Sequence, residues 1–333
     1  MPPKASVAIP VRNGGELLAG VLAALAAQSV EHELIVCDSG STDGSLELAR
    51  EHGARVLEIA PERFNHGAVR NMLLDAAQGP HVALLTQDAQ PADARWLERL
   101  LEGFALAGDV AIVYGPYRPR PDAPAPVRME LEGWFGSLSP DGSPQVQRLE
   151  RHERSLPVVE LIGRRGFFTD ANACLARAAW ERVPYRDVSS AEDRMLAIDM
   201  LRAGYAKVFL PQAAVIHSHT YTSSEQLRRC FDEWRALREV YGWREPIAPG
   251  HLLYQLRGEL GRTRRKLIRD GVSSRCRRAT LVAVARHHVV CRAGALLGSR
   301  ADRLPLPARR RLSLEGRAGF EPLDLDRKEG CAL

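Results

Sequence analysis

Short apolar runs alternate with helix-like stretches over the first part of the chain, and this alternation constrains the fold more than any other feature. The apolar runs have the composition of buried strands and comprise Ser6–Val11, His32–Asp38, Ala54–Ala60 and His81–Thr86. The stretches between them carry apolar residues at helical spacing. This order predicts an α/β fold with a mostly parallel central sheet and helices on both faces. Ligands of such sheets bind outside the carboxyl ends of the strands, so the loops after Val11, Cys37 and Thr86 are the predicted site.

The formal net charge of +5 is distributed unevenly along the chain. Residues His251–Arg311 contain 16 Lys and Arg but 3 Asp and Glu, a net of +13 that leaves −8 for the rest. Interleaved arginine and aliphatic residues predict a basic helical C-terminal region that lies on anionic lipid. A solvated helical face and a contact in a homo-oligomer are the alternatives. Nucleic-acid binding is disfavoured because no recognised nucleic-acid module and few aromatic residues accompany the arginines.

Cysteine usage and hydropathy favour a cytoplasmic protein. The six cysteines, at positions 37, 174, 230, 276, 291 and 331, form no CxxC pair and no Cys/His cluster, so neither a disulfide framework nor a zinc site is predicted. The first strand is reached by Val7 without a basic-then-apolar leader. The apolar run Leu17–Val30 has 14 residues, whereas a membrane span needs about 20. We expect a cytoplasmic location, peripheral at the inner face of the membrane if the basic region binds lipid.

Asp38 ends the second predicted strand in a chain that lacks the common phosphate-binding motifs. No GxGxxG follows the first strand and no GxxxxGK[ST] is present, which argues against a dinucleotide oxidoreductase and a P-loop NTPase. A strand-end acid can accept hydrogen bonds from the ribose or base of a nucleotide. The run from Ser39 to Asp43 equally allows a turn or capping role for Asp38. Both interpretations remain open at the level of the sequence.

Asp88 follows the fourth predicted strand. A carboxylate at the end of a buried strand is costly unless a partner binds it, and a divalent ion that carries a diphosphate is a suitable partner. The alternative is that Asp88 caps the following helix, "ADARWLERLLEGF". Pro91 and Asp93 are better placed to begin that helix, which favours a ligand role for Asp88.

Two later constellations also have a structural and a functional interpretation. Ser190 to Asp193 matches a capping box, but Glu192 and Asp193 at a helix start could also present a general base to a cleft. His217 and His219 are two residues apart at the end of a predicted strand, so their imidazoles share a face. They are either a metal or diphosphate pair or two solvent-facing histidines.

These pieces occur in an order that resembles family 2 glycosyltransferases of the GT-A fold. The resemblance covers residues 5 to 235 and rests on "SVAIPVRNGGELLAGVLAALAAQ", "ELIVCDSGSTDGSLELA", "LLTQDAQP", "FFTDANACLARAAWERVP", "AEDRMLAIDMLRAGY" and "AAVIHSHTYT". The motifs "FNHGAVRN", "TQDA", "HSHTYT" and "LPLPARRRLS" are most similar to the bacterial rhamnosyltransferase branch. The resemblance implies three functional regions, which are a nucleotide-sugar-binding half at 1–115, an acceptor-binding half at 116–235 and the basic helical region at 236–333.

The resemblance also implies roles for individual residues. The positions that match the nucleotide-binding part of the family are Pro10, Arg12, Asn13 and Asp38. The branch signature, which is expected on the donor side, supplies Asn65, His66 and Arg70. Gln87 and Asp88 match the metal motif, where many members have two acids, so Gln87 is assigned to donor binding and Asp88 to both donor and metal. Asp193 matches the family's catalytic base, with Glu192 beside it, and His217 matches a histidine near the metal, which is expected to be Mg²⁺ or Mn²⁺.

The implied activity is inverting transfer of rhamnose from a nucleoside-diphosphate donor to a hydroxyl of a growing surface glycan or lipid-linked saccharide. Use of another donor sugar, carried on UDP or GDP, is the near alternative. A nucleotidyltransferase and a non-catalytic nucleotide- or glycan-binding protein are more distant alternatives. A nucleotidyltransferase would typically carry a glycine-rich, basic phosphate loop after the first strand, and "PVRNGGELL" only weakly resembles one. The two acids Asp88 and Asp193 argue against a non-catalytic binding protein.

Overall fold

The computed structural model describes residues 3–161, 165–188, 191–317 and 319–320. The chain forms two compact units. The first unit contains the chain up to Arg120 together with Leu131–Ser218, and the second contains Pro121–Glu130 and the chain from His219 onward. The functional regions predicted at 1–115, 116–235 and 236–333 stay a prediction, because the two units describe packing rather than function.

An eight-stranded sheet forms the framework of the first unit, which also contains a three-stranded sheet. In chain order the strands are β1 (Ser6–Val11), β2 (Glu33–Asp38), β3 (Arg55–Glu58), β4 (His81–Leu85), β5 (Gln90–Pro91), β6 (Val110–Tyr114), β7 (Tyr117–Arg118), β8 (Gln145–Gln147), β9 (Asn172–Ala176), β10 (Ala206–Phe209) and β11 (Val215–Ile216). The large sheet has the order β3-β2-β1-β4-β9-β6-β10-β8, and the small one has the order β5-β11-β7. Only β8 and β9 run against the other strands of the large sheet, which confirms the mostly parallel prediction.

Helices cover both faces of the large sheet, as predicted. In chain order the helices are α1 (Gly15–Ala26), α2 (Ser45–Glu51), α3 (His66–Ala76), α4 (Trp96–Glu102), α5 (Ala125–Leu138), α6 (Arg177–Trp180), α7 (Glu192–Arg202), α8 (Ser223–Tyr241), α9 (Pro249–Arg269), α10 (Ser274–Gly298) and α11 (Leu306–Leu312). Val7 and Ile9 of β1 pack in a core with α1 and α4, whereas Ala8 packs in a second core with α3 and α7. Successive side chains of a strand point to opposite faces, so the apolar run of β1 serves both cores.

Three local predictions were wrong at the ends of elements. Pro91 does not begin a helix, because it pairs with Val215 in the small sheet and α4 begins at Trp96. The strand expected to end in the two histidines ends at Ile216, so His217 follows it. The capping residue of α7 is Ala191, which has a positive φ of 59° and makes no side-chain cap bond. Ser190, the cap proposed from the sequence, lies outside the described residues.

The second unit consists of helices, as expected for a basic helical C-terminal region. A capping box between Thr222 and Glu225 begins α8, and Gly242 ends that helix in the left-handed conformation. Among the helices that the structure describes, α10 alone has the length and apolar content of a membrane span, with a mean hydropathy of 1.2 and 22% of that stretch buried. A packed helix of a water-soluble protein can meet the same criteria. The sequence analysis considered only Leu17–Val30, where the structure has the shorter helix α1.

Candidate active site

The loop after β1 is tied to the end of β4 by the side chain of Gln87. Its amide oxygen accepts from the backbone N–H of Arg12 at 2.7 Å, and its amide nitrogen donates to the carbonyl oxygen of Arg12 at 3.1 Å. One side chain therefore satisfies both polar groups of one residue on the neighbouring strand end. A carboxylate at this position could accept the first bond but could not donate the second. The glutamine thus has a structural reason to stand beside Asp88.

Further hydrogen bonds join the loop after β1 to the loop after β2. Asn13 has a positive φ of 52°, its N–H donates to Ser41 Oγ at 2.9 Å, and its Oδ1 accepts from the N–H of Thr42 at 2.8 Å. The N–H of Gly14 donates to Ser45 Oγ at 2.8 Å. The two loops are therefore held together before any ligand binds.

Asp38 divides its two carboxylate oxygens between two environments. Oδ1 accepts from the N–H groups of Gly40 and Ser41 at 2.9 and 3.0 Å, which is the turn role considered from the sequence. Oδ2 has no hydrogen-bond partner among the described residues, and it is buried, since the whole residue is only 3% exposed. A buried acceptor without a partner is costly. This oxygen is therefore suited to accept a hydrogen bond from a ligand in the cleft between the loops.

Asp88 and His217 lie together beyond the ends of β4 and β11. Asp88 Oδ1 is 3.5 Å from His217 Nδ1, and both side chains are largely buried. Arg120 fixes this corner, because its guanidinium donates to the carbonyl oxygen of Asp88 at 2.6 Å and its N–H donates to Ser218 Oγ at 3.0 Å. A carboxylate oxygen and an imidazole nitrogen at this separation fit two ligand positions of one divalent ion. The mixed set suits Mn²⁺ better than Mg²⁺, which prefers oxygen ligands alone.

His219, the other histidine of the motif, begins the longer segment of the second unit. Its ring stacks on Tyr221 with the ring centres 5.5 Å apart and the planes inclined by 16°. In the first unit, His217 supplies an imidazole beside Asp88.

A buried ionic cluster lies at the start of α7. Glu192 Oε1 is 3.8 Å from Arg70 Nη1 and 3.8 Å from His66 Nδ1. Arg70 also forms an ion pair with Asp170, which accepts from the Tyr185 hydroxyl at 2.5 Å. Burial raises the pKa of Glu192 to about 8, and the nearby Arg70 cation opposes this shift. Burial by itself would lower the pKa of Arg70, but the carboxylates of Asp170 and Glu192 outweigh burial and raise it.

Tyr117 shows that the acids of the site converge. Its ring meets the imidazole of His217 edge-on, with the ring centres 4.8 Å apart, and its hydroxyl bonds to Thr169. Burial raises the pKa of the Tyr117 hydroxyl, its bond to Thr169 opposes this shift, and the carboxylates of Asp193, Asp170 and Asp88 raise the pKa. Thr169 precedes Asp170, which pairs with Arg70, and Arg70 lies 3.8 Å from Glu192, the neighbour of Asp193. Asp88 and Asp193, far apart in the sequence, therefore flank one region of the first unit.

The other residues predicted to bind the donor differ in their contacts and in their exposure. Asn65 caps α3, because its Oδ1 accepts from the N–H of Ala68 at 3.0 Å. Arg70 is buried in the ionic cluster, whereas His66 has 39% of its side chain exposed and lies edge-on against Phe64. Pro10 is half-buried in β1, and the side chain of Arg12 is exposed.

Sequence analysis missed three members of this site, namely Asp170, Tyr185 and Tyr117. Asp170 had a usable signal, because it is the one charged residue in the mainly apolar segment "FFTDANACL". The two tyrosines had none, since only the folded chain brings them to the carboxylates.

Comparison with known proteins shows the family of the chain. The profile of "Glycosyl transferase family 2" matches residues 6–168, and that of "Glycosyl transferase family group 2" matches residues 88–297. The chain is 30% identical over 236 residues to the O-antigen chain rhamnosyltransferase RfbN of Salmonella typhimurium, covering 69% of this chain and 71% of RfbN. It is also 30% identical to the O-antigen chain rhamnosyltransferase WbaN of Salmonella anatum, covering 60% of this chain and 61% of WbaN.

A solved structure supports the fold. The mannosyltransferase PcManGT from Pyrobaculum calidifontis, determined in complex with GDP-Man and Mn²⁺, superposes with a TM-score of 0.55 at 17% identity. The superposition covers 89% of this chain and 88% of PcManGT. The predicted GT-A fold is thereby confirmed. The chain is a glycosyltransferase and belongs to glycosyltransferase family 2.

Proposed function

We propose that this glycosyltransferase moves rhamnose from a nucleoside-diphosphate donor to a hydroxyl of a growing surface glycan or lipid-linked saccharide. The similarity to the O-antigen chain rhamnosyltransferases RfbN and WbaN supports the sugar and the glycan. The single observation that carries the proposal is a chain of contacts that runs from Asp88 through His217 and Tyr117 to the buried ionic cluster at the start of α7, where Asp193 lies. The departing diphosphate needs a cation, which the carboxylate of Asp88 can hold, and the acceptor hydroxyl needs a base, which the carboxylate of Asp193 can supply.

The nucleotide of the donor is assigned to the loops after β1 and β2. Asp38 Oδ2 is the buried acceptor that a ribose hydroxyl or a base N–H would satisfy. Pro10, Arg12 and Asn13 line the same loop, which Gln87 holds in place. His66, which is more exposed than Arg70, is the residue of the branch signature assigned to direct donor contact.

Asp88 and His217 are assigned to a divalent cation, for which the Mn²⁺ in PcManGT is a precedent in the same fold. Such a cation supplies positive charge that offsets the charge of the departing diphosphate. Asp88→Ala and His217→Ala should each weaken Mn²⁺-dependent binding of the nucleoside diphosphate. Calorimetric titration with and without Mn²⁺ measures this, and equal affinity in wild type and both variants would remove the assignment.

Asp193 is assigned as the general base for the acceptor. The C1–O bond to the diphosphate breaks as the acceptor oxygen bonds to C1 from the opposite face, and the hydroxyl proton passes to Asp193. This course inverts the anomeric centre. Glu192 is the poorer base in this scheme, because a pKa of about 8 keeps it protonated near neutral pH. We assign Glu192 to the support of Asp193 rather than to proton transfer.

A donor screen tests the proposed function. The protein is mixed with dTDP-, UDP- and GDP-sugars, and thermal protection and release of free nucleoside diphosphate are measured. Rhamnose carried on dTDP should give the largest protection and the fastest release. Release from a UDP- or GDP-sugar instead would retain the enzyme class and replace the sugar. Protection by no nucleotide sugar would overturn the proposal.

The basic C-terminal region is assigned to contact with an anionic membrane surface, which places the enzyme at the cytoplasmic side. On α10, Val282 and Val289 are 69% and 56% exposed and stand seven residues apart, on one face of the helix. The exposed side chains of Arg275, Arg278 and Arg286 share that face. Aliphatic side chains flanked by arginine suit the boundary between headgroups and acyl chains. The alternative occupant is a second copy of the chain.

A further inference from the structure

Two aromatic side chains are strongly exposed among the described residues, and one lies in each unit. Trp134 of α5 is 39% exposed in the first unit, and Tyr254 of α9 is 76% exposed in the second. Trp134 differs from Tyr254 because its ring belongs to an aromatic cluster. It meets Phe167 edge-on, with the ring centres 5.0 Å apart and the planes at 77°. An indole with one side packed and the other open is a fixed apolar surface.

The position of Phe167 is itself fixed by a buried cation. Lys207 of β10 is fully buried, and its ammonium group donates to the carbonyl oxygens of Arg165, at 2.7 Å, and Phe167. Burial of a lysine is costly unless its ammonium protons are hydrogen-bonded. These bonds therefore hold the backbone of Arg165 and Phe167 in place. The guanidinium of Arg194 lies 5.7 Å from the centre of the Phe167 ring. Trp134, Phe167 and Arg194 therefore form a preorganised corner.

This corner adjoins the residues assigned to the reaction. Arg194 directly follows the proposed base Asp193 in α7. On the other side, Phe135 contacts both Phe167, at 6.1 Å between ring centres, and Tyr117, at 4.9 Å. The ring of Tyr117 in turn contacts His217. A continuous row of rings thus leads from the proposed metal ligand to the exposed indole, along the side of the site that holds the base.

We infer that Trp134 and Arg194 form an acceptor subsite that binds one pyranoside ring of the acceptor glycan. A pyranose presents an apolar C–H face and a rim of hydroxyl groups, which match an indole face and guanidinium donors respectively. The inference rests on the proposed function, because only that function makes the acceptor a sugar. It adds a location and two residues for which neither the sequence motifs nor the donor site gave an assignment.

Saturation-transfer NMR with methyl glycosides tests the subsite. The probes are the methyl glycosides of glucose, galactose, mannose and rhamnose, each added with the nucleoside diphosphate found in the donor screen. Wild type should bind at least one of them, and Trp134→Ala should weaken that binding about tenfold. Trp134→Phe, which keeps an aromatic face, should weaken it less. Tyr254→Ala is the matched control with an exposed aromatic residue and should not change binding.

The same samples separate failure of the subsite from failure of the proposed function. Thermal protection by the nucleotide sugar should be equal in wild type and Trp134→Ala, because Trp134 is assigned to the acceptor alone. With an active acceptor, the KM for that acceptor should rise more than kcat falls. Unchanged glycoside binding in Trp134→Ala, or no binding of any glycoside by wild type, would overturn the subsite while donor protection still supports the proposed function. Loss of donor protection in wild type would instead overturn the function.

Discussion

Each of the two units buries an arginine–aspartate pair, and the two pairs have different surroundings. In the first unit, Arg70 and Asp170 have side chains that are 5% and 2% exposed. In the second unit, Arg235 and Asp232 are 1% and 2% exposed and lie 3.1 Å apart. The chemistry of the two pairs is the same, so their neighbours decide what each pair does.

The pair of the second unit forms hydrogen bonds with the backbone of the segment after α11. Asp232 Oδ2 accepts from the Ser313 hydroxyl at 3.1 Å and from the N–H of Leu314 at 2.7 Å. Arg235 donates to the carbonyl oxygen of Arg317 at 2.9 Å. Burial lowers the pKa of Arg235, and the Arg317 cation lowers it further. This pair joins α8 to the segment after α11 through bonds to backbone groups, as expected of a structural connection.

The pair of the first unit has more carboxyl groups around it than cations. Arg70 faces Asp170 and also Glu192, and Asp193 follows in the chain. Like charges gathered around one cation destabilise a fold, and such clusters occur where chemistry requires them. The comparison teaches that a buried ion pair marks a reaction site when its charges are unbalanced, and a structural joint when local backbone groups use them.

Removal of the cation from each pair gives the largest expected effect. Arg70→Leu and Arg235→Leu should each lower the free energy of unfolding by about 3–5 kcal/mol, because each leaves a buried carboxylate without its partner. Denaturant unfolding measures the loss. The variants should differ in activity per folded molecule, since only Arg70→Leu disturbs the acids of the site. Equal activity losses in the two folded variants would break the distinction between the pairs.

Asp193→Asn tests the catalytic assignment in the first unit. Loss of the base should reduce transfer by about 10³-fold, within the range that general base catalysis supplies. The affinity for the nucleotide sugar and the melting temperature should change little, because the amide retains the shape of the side chain. The amide oxygen can also still accept the N–H of Arg194, which Asp193 Oδ1 accepts at 2.7 Å. A parallel loss of donor affinity and stability would instead assign Asp193 to the helix start.

Local sequence patterns predicted the elements of the first unit well. The four apolar runs became β1 to β4 within a few residues, because strand and helix periodicities depend on neighbouring residues alone. The strand-end rule and the resemblance located Asp38, Asp88 and Asp193. Asp38 ends β2 and Asp88 follows β4, so the positions of both follow from the strand order, whereas Asp193 lies in the first turn of α7.

Long-range pairings could not be predicted in the same way. Arg70 pairs with Asp170 across a hundred residues, and no local pattern links them. Likewise, Gln87 looked like a departure from a metal motif, whereas the structure gives its amide two bonds to the backbone of Arg12. The insertion of β9 against β4 and β6 was also invisible in the alternation of strands and helices.

The two units should respond to pH in opposite directions through Glu192 and Asp302. Burial raises the pKa of Glu192 to about 8, so its contribution to stability is present at low pH and is lost as pH rises towards that value. Wild type should therefore lose about 4–8 °C of melting temperature relative to Glu192→Gln between acidic and alkaline pH, which corresponds to about 2 kcal/mol. Thermal melts in a pH series measure the difference.

Asp302 of the second unit provides the matched control. Burial would raise the pKa of Asp302, but Arg244 and Arg238 outweigh burial and lower it. Its contribution is therefore present above the ordinary pKa of an aspartate and is lost as pH falls. Asp302→Asn should lower the melting temperature above the ordinary pKa of an aspartate, and the difference from wild type should close as pH falls. It should leave the alkaline slope of the profile, which reports Glu192, unchanged. A Glu192→Gln profile parallel to wild type at all pH values would contradict the raised pKa.

The smallest expected effect concerns the exposed face of α10, the basic counterpart of the acidic cluster in the first unit. Arg275→Glu/Arg278→Glu should weaken binding to phosphatidylglycerol vesicles by about 1 kcal/mol or more per residue, roughly fivefold each, because each arginine interacts with the negative surface potential. Co-sedimentation at low and high salt measures this, and added salt should weaken wild-type binding. Arg151→Glu/Arg182→Glu makes the same change of net charge at two exposed residues of the first unit and should have little effect. Equal weakening by both double variants would show attraction by net charge alone, and salt-sensitive formation of dimers without vesicle binding would assign the α10 face to a second copy of the chain.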